Sequence, residues 1–402
     1  MNIVFITLLT FNSIFEHNIY CDLLREFLLE GHHLSVFCAT DLEEKTKYKL
    51  VEEKENFELF HVNTGKIQKT SLLRKGINTL LLDKKIQKVI KKELSHNEVQ
   101  LIIYTTPPIT LVKTISYLKK QKGARTYLLL KDIFPQNCVD LGILHTRGLK
   151  SFVYKHFRKI EVKLYKLSDY IGCMSEANVN YIINHNSFID LSKVEICPNS
   201  IDISFLCESQ KVSSDLNACF LIPNNKKLLV YGGNLGKPQG IDYLIKCIER
   251  SQHLNDVHFV VVGDGTEFNK LLNFSKTVKN FTLIKRLNNK EYRELLAECD
   301  IGLLFLDNRF TIPNYPSRLL DYMSCGLPII ACTDRCTDIK KTIEEGNFGC
   351  WCESKNPDDF LDCLEKIEKL DKKTIKENER NYLIKNFSSK ITYEIIIKHF
   401  IL

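Results

Sequence analysis

No apolar run in the 402-residue chain approaches the 18 residues that a membrane-crossing helix needs. The opening segment, MNIVFITLLTFNSIFEHN, has no basic start and no small-residue cleavage site, so it reads as a buried strand entering a helix rather than a secretory leader. Nothing in the chain is repetitive or low in complexity. No Asp-x-Asp pair occurs that could hold a divalent ion against a diphosphate. TLLTFNSIFEHN also lacks the G-x-G-x-x-G of a dinucleotide-binding unit, which argues against a nicotinamide oxidoreductase.

Cysteine, by contrast, is plentiful. The fifteen cysteines are odd in number and scattered over a long chain, a pattern of reduced thiols in a cytoplasmic protein and not of a disulfide framework. Cys332, Cys336, Cys350 and Cys352 come nearest to a metal cluster, but C-x3-C and C-x-C are not standard zinc spacings, and no metal is expected.

With 44% apolar and 26% charged residues the composition is that of a globular protein, and the length favours two domains of about 200 residues each. Strand-like apolar runs (NIVFITLL, HLSVFCAT, VQLIIYTT, ARTYLLLKD, DYIGCMS) alternate with helix-length segments. A second series follows, from KKLLVYGG through VHFVVVGDG, FTLIK and DIGLLFL to PIIAC. Such alternation predicts two tandem α/β domains with parallel sheets, joined near Val194 to Leu206.

The net charge of +7 is uneven. Residues 1–200 carry 28 Lys/Arg against 21 Asp/Glu, and residues 201–402 carry 28 against 28. Within 61–168 the imbalance sharpens to 22 against 6, in stretches such as LLRKGINTLLLDKKIQKVIKK and GLKSFVYKHFRKIEVKLYK. Basic residues interleaved with Leu, Ile, Phe and Tyr suit an anionic membrane surface or nucleic acid, or simply make solvated helix faces.

Open parallel sheets bind ligands beyond the carboxyl ends of their strands. In the second series those loops are Gly232-Gly233-Asn234-Leu235-Gly236-Lys237, Gly263-Asp264-Gly265, Arg286-Leu287-Asn288 and the stretch YPSRLLDYMSCGLP. The last reads as a short helix started by Pro316 and Ser317 and stopped by Gly326. Arg318 in its first turn, beside free helix N–H groups, makes a place for an anion, and Asp321 one turn on can accept from hydroxyls of the same ligand. A surface ion pair between Arg318 and Asp321 is the alternative. Four such loops together point to a nucleotide diphosphate site.

VYGGNLGKPQGIDYLI, VVVGDGTE and NYPSRLLDYMSCGLPII resemble the donor-binding domain of family-4 retaining glycosyltransferases with the GT-B fold. KDIFPQNCVDLGIL, EVKLYKLSDYIGCMSEANVNYI and VEICPNSID resemble the branch that builds O-antigen and capsule repeats, including the fucosamine transferase type. The resemblance implies an acceptor-binding domain over 1–198, completed by a C-terminal helix at 387–402 that crosses back. It implies a donor-binding domain over 199–386, facing the first across a cleft. Implied partners are a nucleoside-diphosphate sugar, with UDP the first expectation, a polyprenyl-diphosphate-linked acceptor and the inner face of an anionic membrane. Neither nucleic acid, cofactor nor metal is implied.

Residue by residue, Gly233, Asn234, Gly236, Arg286, Leu287, Ser317 and Asp321 fall at donor-binding positions, while Arg318, Lys237 and Asp132 fall to catalysis. The chain departs from its relatives in places. Where many carry two glutamates separated by seven residues, it has Pro313 and Asp321. Asn234 and Gln239 replace an arginine and a lysine, which leaves Lys237 and Arg318 as the diphosphate cations. LIIYTTPPITL has no counterpart of the relatives' histidine near the sugar, and Asp132 takes a place near the acceptor or caps the turn after its strand. A non-catalytic GT-B partner and a nucleotide-sugar epimerase or hydrolase remain the rival readings.

Overall fold

The strand-like apolar runs named above form strands of two sheets. The computed structural model describes residues 1–42, 46–65, 72–206 and 219–401, the side chains of 72–80 excepted. These form two units, one of Met1–Ile201 with Ser389–Leu402 and one of Asp202–Ser388.

The first unit contains β1 (Asn2–Thr7), β2 (His33–Thr40), β3 (Tyr48–Lys54), β4 (Phe57–Asn63), β5 (Leu101–Thr106), β6 (Arg125–Leu130), β7 (Tyr170–Cys173) and β8 (Val194–Ile196). Their order is β3-β4-β2-β1-β5-β6-β7-β8. All neighbours pair parallel except β3, which lies antiparallel on β4 with a register shift between Leu50 and Glu52. This departs from the purely parallel sheet expected. β3 reads YKLVEEK, and its charges suit an exposed edge that resists pairing with another chain.

The helix Ser389–Ile397 belongs to this first unit. Tyr393 packs edge-on to Phe27 at 4.8 Å and its hydroxyl lies 3.0 Å from His32 Nε2, while Ser389 Oγ donates to Glu26 at 2.6 Å.

In the second unit β9 (Lys227–Asn234), β10 (Val257–Asp264), β11 (Phe281–Ile284), β12 (Ile301–Phe305), β13 (Ile329–Thr333) and β14 (Gly349–Glu353) are all parallel, in the order β11-β10-β9-β12-β13-β14. Successive strands run outward from β9 on one side and from β12 on the other. The crevice for a ligand in such a sheet opens where the order reverses, beyond the carboxyl ends of β9 and β12. No helix among the described residues is long and apolar enough to cross a membrane.

Candidate functional site

The loop after β9 begins with two glycines for different reasons. A Cβ on Gly232 would stand 1.9 Å from the Tyr292 hydroxyl oxygen, so only a bare backbone passes there. Gly233 has φ of 123°, a region side chains disfavour, and brings the chain to Arg318: a Cβ on it would lie 3.3 Å from Nη2. The loop then closes on itself, Gln239 Oε1 accepting from Asn234 Nδ2 at 2.9 Å and from the Gly236 N–H at 3.2 Å. It meets the loop after β12 where the Asp307 N–H donates to the Pro238 carbonyl at 3.0 Å. Lys237 projects from this loop, exposed.

Arg318 opens the helix Arg318–Cys325, which ends at Gly326 in the left-handed conformation (φ 70°) as the sequence indicates. Its start differs from expectation. Ser317 occupies the cap position, but its backbone is helical (φ −64°, ψ −22°) and its side chain makes no capping bond, leaving the first N–H groups to other partners. The chain before the helix is fixed by Thr337 Oγ1, which donates to the Asn314 carbonyl, and by the Tyr315 hydroxyl, 2.7 Å from Thr342 Oγ1.

Arg318 makes no ion pair with Asp321; its guanidinium lies 4.4 Å over the ring of Tyr231, which removes the surface-pair reading for this arginine. Burial works against its charge, yet Tyr231, Tyr322 and Tyr292 outweigh that penalty and hold its pKa above the ordinary arginine value. Two of these tyrosines are themselves fixed. Tyr231 donates to the Asn234 carbonyl at 3.1 Å, and Tyr322 accepts from the Gly232 N–H at 3.1 Å while donating to the Leu303 carbonyl at 3.0 Å. Burial pushes Tyr292 well above its usual value, with Tyr322 and then Asp321 adding to the effect, which places Asp321 at the edge of the same cluster. Within it, Arg318 Nη1 and the Tyr292 hydroxyl are buried without a hydrogen-bond partner.

The structure thus gathers Gly233, Asn234, Gly236, Ser317, Arg318 and Asp321 around the switch point, with Lys237 on its rim. Arg286 and Leu287 enter from after β11, the edge strand, two positions from β9, and Arg286 is exposed. Sequence reasoning missed the three tyrosines. Tyr231 sits in an apolar strand and Tyr322 in an amphipathic helix, where each reads as core. Tyr292 gives no signal until Gly232 is seen to make room for it.

Asp132 stands in the first unit, just after β6. Both its carboxylate oxygens accept from Asn137 Nδ2, at 3.0 and 2.9 Å. Burial pushes its pKa up to about 6, against the lowering effect of the Ile133 N–H and Asn137. Beside it Lys131 Nζ reaches the Cys197 and Pro198 carbonyls at 3.4 and 3.3 Å, and burial lowers that amine to about 8.

Among the described residues no group of three or more His, Cys, Asp or Glu could hold a metal ion.

Residues 215–388 match the family described as Glycosyl transferases group 1. A Pseudomonas aeruginosa chain named probable glycosyltransferase WbjE is 24% identical over 304 residues, 73% of this chain and 72% of that one. The Escherichia coli (strain K12) chain WcaI, named for colanic acid biosynthesis, is 26% identical over 165 residues, 41% of this chain and 40% of that one. In fold, the chain superposes with a TM-score of 0.68 on the solved structure of Anabaena Alr3699/HepE in complex with UDP and glucose, at 14% identity over 99% of both chains.

Proposed function

We propose that this chain, a glycosyltransferase of GT-B architecture by its group 1 domain and its relatives, moves a sugar from a nucleoside-diphosphate sugar, UDP-linked, onto a lipid-linked saccharide with retention at the anomeric carbon. The product is a repeat of a surface polysaccharide, as in the O-antigen and capsule branch of the family-4 enzymes. The observation that carries this reading is Arg318: a guanidinium caged by three tyrosines, at a helix start on the switch point, with Nη1 lacking a partner. Leaving a buried donor unpaired costs about 1–3 kcal/mol, which an anion on Nη1 would offset.

Cleaving the bond from the anomeric carbon to the diphosphate builds negative charge on the leaving oxygens. Arg318, the helix N–H groups at Ser317 and Arg318, and Lys237 stabilise it. Gly233, Asn234 and Gly236 bring backbone close to the phosphates, and Arg286 and Leu287 border the base. Asp321 accepts from the ribose hydroxyls. The acceptor hydroxyl attacks from the face the diphosphate leaves, passing its proton to the leaving phosphate, while Asp132 orients the acceptor.

Thermal-shift titration with UDP, GDP, TDP, CMP and NAD tests the donor assignment. A selective rise with one nucleoside diphosphate that is lost in Arg318→Ala is expected; a rise with NAD alone would overturn it. Turnover with a lipid-linked acceptor separates transfer from hydrolysis, epimerisation and a non-catalytic partner.

A further inference from the structure

Four thiols converge in the second unit outside the switch-point loops. Cys332 on β13 and Cys352 on β14 are register partners with sulfurs 3.4 Å apart. Cys350, two residues earlier and so on the same face of β14, lies 2.6 Å from Cys363 Sγ on the helix Pro357–Glu368. The two sulfurs are in direct contact, the juxtaposition that a disulfide between strand and helix requires.

The four are not equivalent. Cys332, Cys352 and Cys363 are buried, whereas Cys350 is partly open to solvent. The contact with Cys363, and then Lys366, hold the Cys350 thiol below an ordinary cysteine against the opposing effect of burial. A partly accessible sulfur in contact with a shielded second thiol is the arrangement of a nucleophile and its resolving partner.

We propose that Cys350 and Cys363 form a reversible oxidation site for peroxides, closing to a disulfide that ties β14 to the helix behind it. The Cys350 thiolate attacks one oxygen of hydrogen peroxide, the O–O bond breaks, and hydroxide leaves with a sulfenic acid formed on Cys350. Cys363 sulfur then attacks that sulfur, and the sulfenic hydroxyl departs as water with the Cys363 proton. Two thiols and one peroxide give one disulfide and two waters, and a small thiol reductant reverses the step. The buried Cys332–Cys352 pair, without access, stays reduced.

The test is peptide mapping of the native full chain after stoichiometric peroxide and alkylation of the remaining thiols. The expected product is a single Cys350–Cys363 cross-linked peptide, two hydrogens lighter than its parts and released by dithiothreitol. Oxidised protein should also melt higher than reduced protein, and Cys363→Ser should lose both the cross-link and that rise. Alkylation of both Cys350 and Cys363 while surface Cys219 and Cys336 are oxidised would overturn the proposal. So would a Cys350–Cys352 link, sulfinic acid on Cys350 without a link, or stoichiometric metal released from the purified chain by a mercurial. Because the mapping is read on the wild type, a variant that fails to fold does not blunt it.

Discussion

Arg318 and Asp321 sit one helical turn apart and are assigned different work, which their kinetics should separate. If Arg318 is the proposed preorganised donor to the leaving diphosphate, Arg318→Ala should cost on the order of 10²–10³ in kcat. If Asp321 makes the proposed ground-state contact to ribose hydroxyls, Asp321→Asn should raise the donor KM by about tenfold to a hundredfold, for about 1.5–3 kcal/mol, with Asp321→Glu milder. Wild-type kinetics in Arg318→Ala would return the helix to ordinary structure. Glu379 poses a different residue-scale problem. It is fully buried in the helix Lys372–Phe387 and neither carboxylate oxygen has a partner. Burial raises its pKa well above the usual 4.5, only partly opposed by Lys376. A carboxyl whose folded pKa lies above its unfolded one binds more protons when folded, so its contribution is full below the unfolded value and is lost as pH rises through the folded one. The melting temperature should therefore fall with rising pH in the wild type and fall less in Glu379→Gln. Parallel melting curves across pH 5–8 would contradict the account.

At the scale of elements, the short helix owes its end to a single backbone conformation. Gly326 adopts φ of 70°, and a Cβ there would also meet Lys376 Cγ at 2.6 Å. Gly326→Ala should destabilise by about 1–2 kcal/mol, read as a lower urea midpoint, with Gly326→Asn between it and wild type. The stabilisation that Gly→Ala gives at unstrained sites would argue against this. The stop was legible in sequence because a glycine between a periodic apolar segment and Pro328 has few other uses. The central strands were legible for a related reason: covered on both faces, they are unbroken apolar runs. β3 was not, because an edge strand carries charge where a core strand carries Val or Ile. Ser317 shows the limit from the other side. Its identity announces a cap, but a helical backbone at Ser317 keeps its hydroxyl from that role. The site was half visible. Glycines and a first-turn arginine stand out along a chain, whereas a tyrosine cage drawn from β9 and two helices exists only once the sheet sets its order.

At the scale of the whole chain, the charge imbalance supports a proposal about location. The excess of basic residues lies entirely within residues 1–200, and part of it coincides with exposed apolar side chains. Leu149 is 97% exposed, Phe152 68% and Ile143 56%, among exposed Arg147, Lys150, Lys155 and Lys159. The basic stretch at 72–92 has its first side chains, to residue 80, outside the described residues, and the exposed apolar and basic side chains named here lie in the 143–159 segment. Phe152, Lys155 and Lys159 fall on one face of the helix Ser151–Leu167, since residues three and four apart are neighbours on a helix. Apolar side chains rimmed by cations suit an anionic bilayer surface, where each cation contributes about 1 kcal/mol and the apolar groups enter the headgroup region. The lipid-linked acceptor proposed above would bring the chain to that surface. The full chain should co-sediment with phosphatidylglycerol-containing vesicles at low salt and be released as salt rises. Leu149→Glu with Phe152→Glu should reduce recovery even at low salt, while leaving the thermal shift with nucleoside diphosphate intact, because neither residue belongs to the donor site. Equal recovery on neutral and anionic vesicles at both salt concentrations would reduce the cluster to a solvated surface. It would leave the donor chemistry at Arg318 standing, because that assignment depends on the second unit alone.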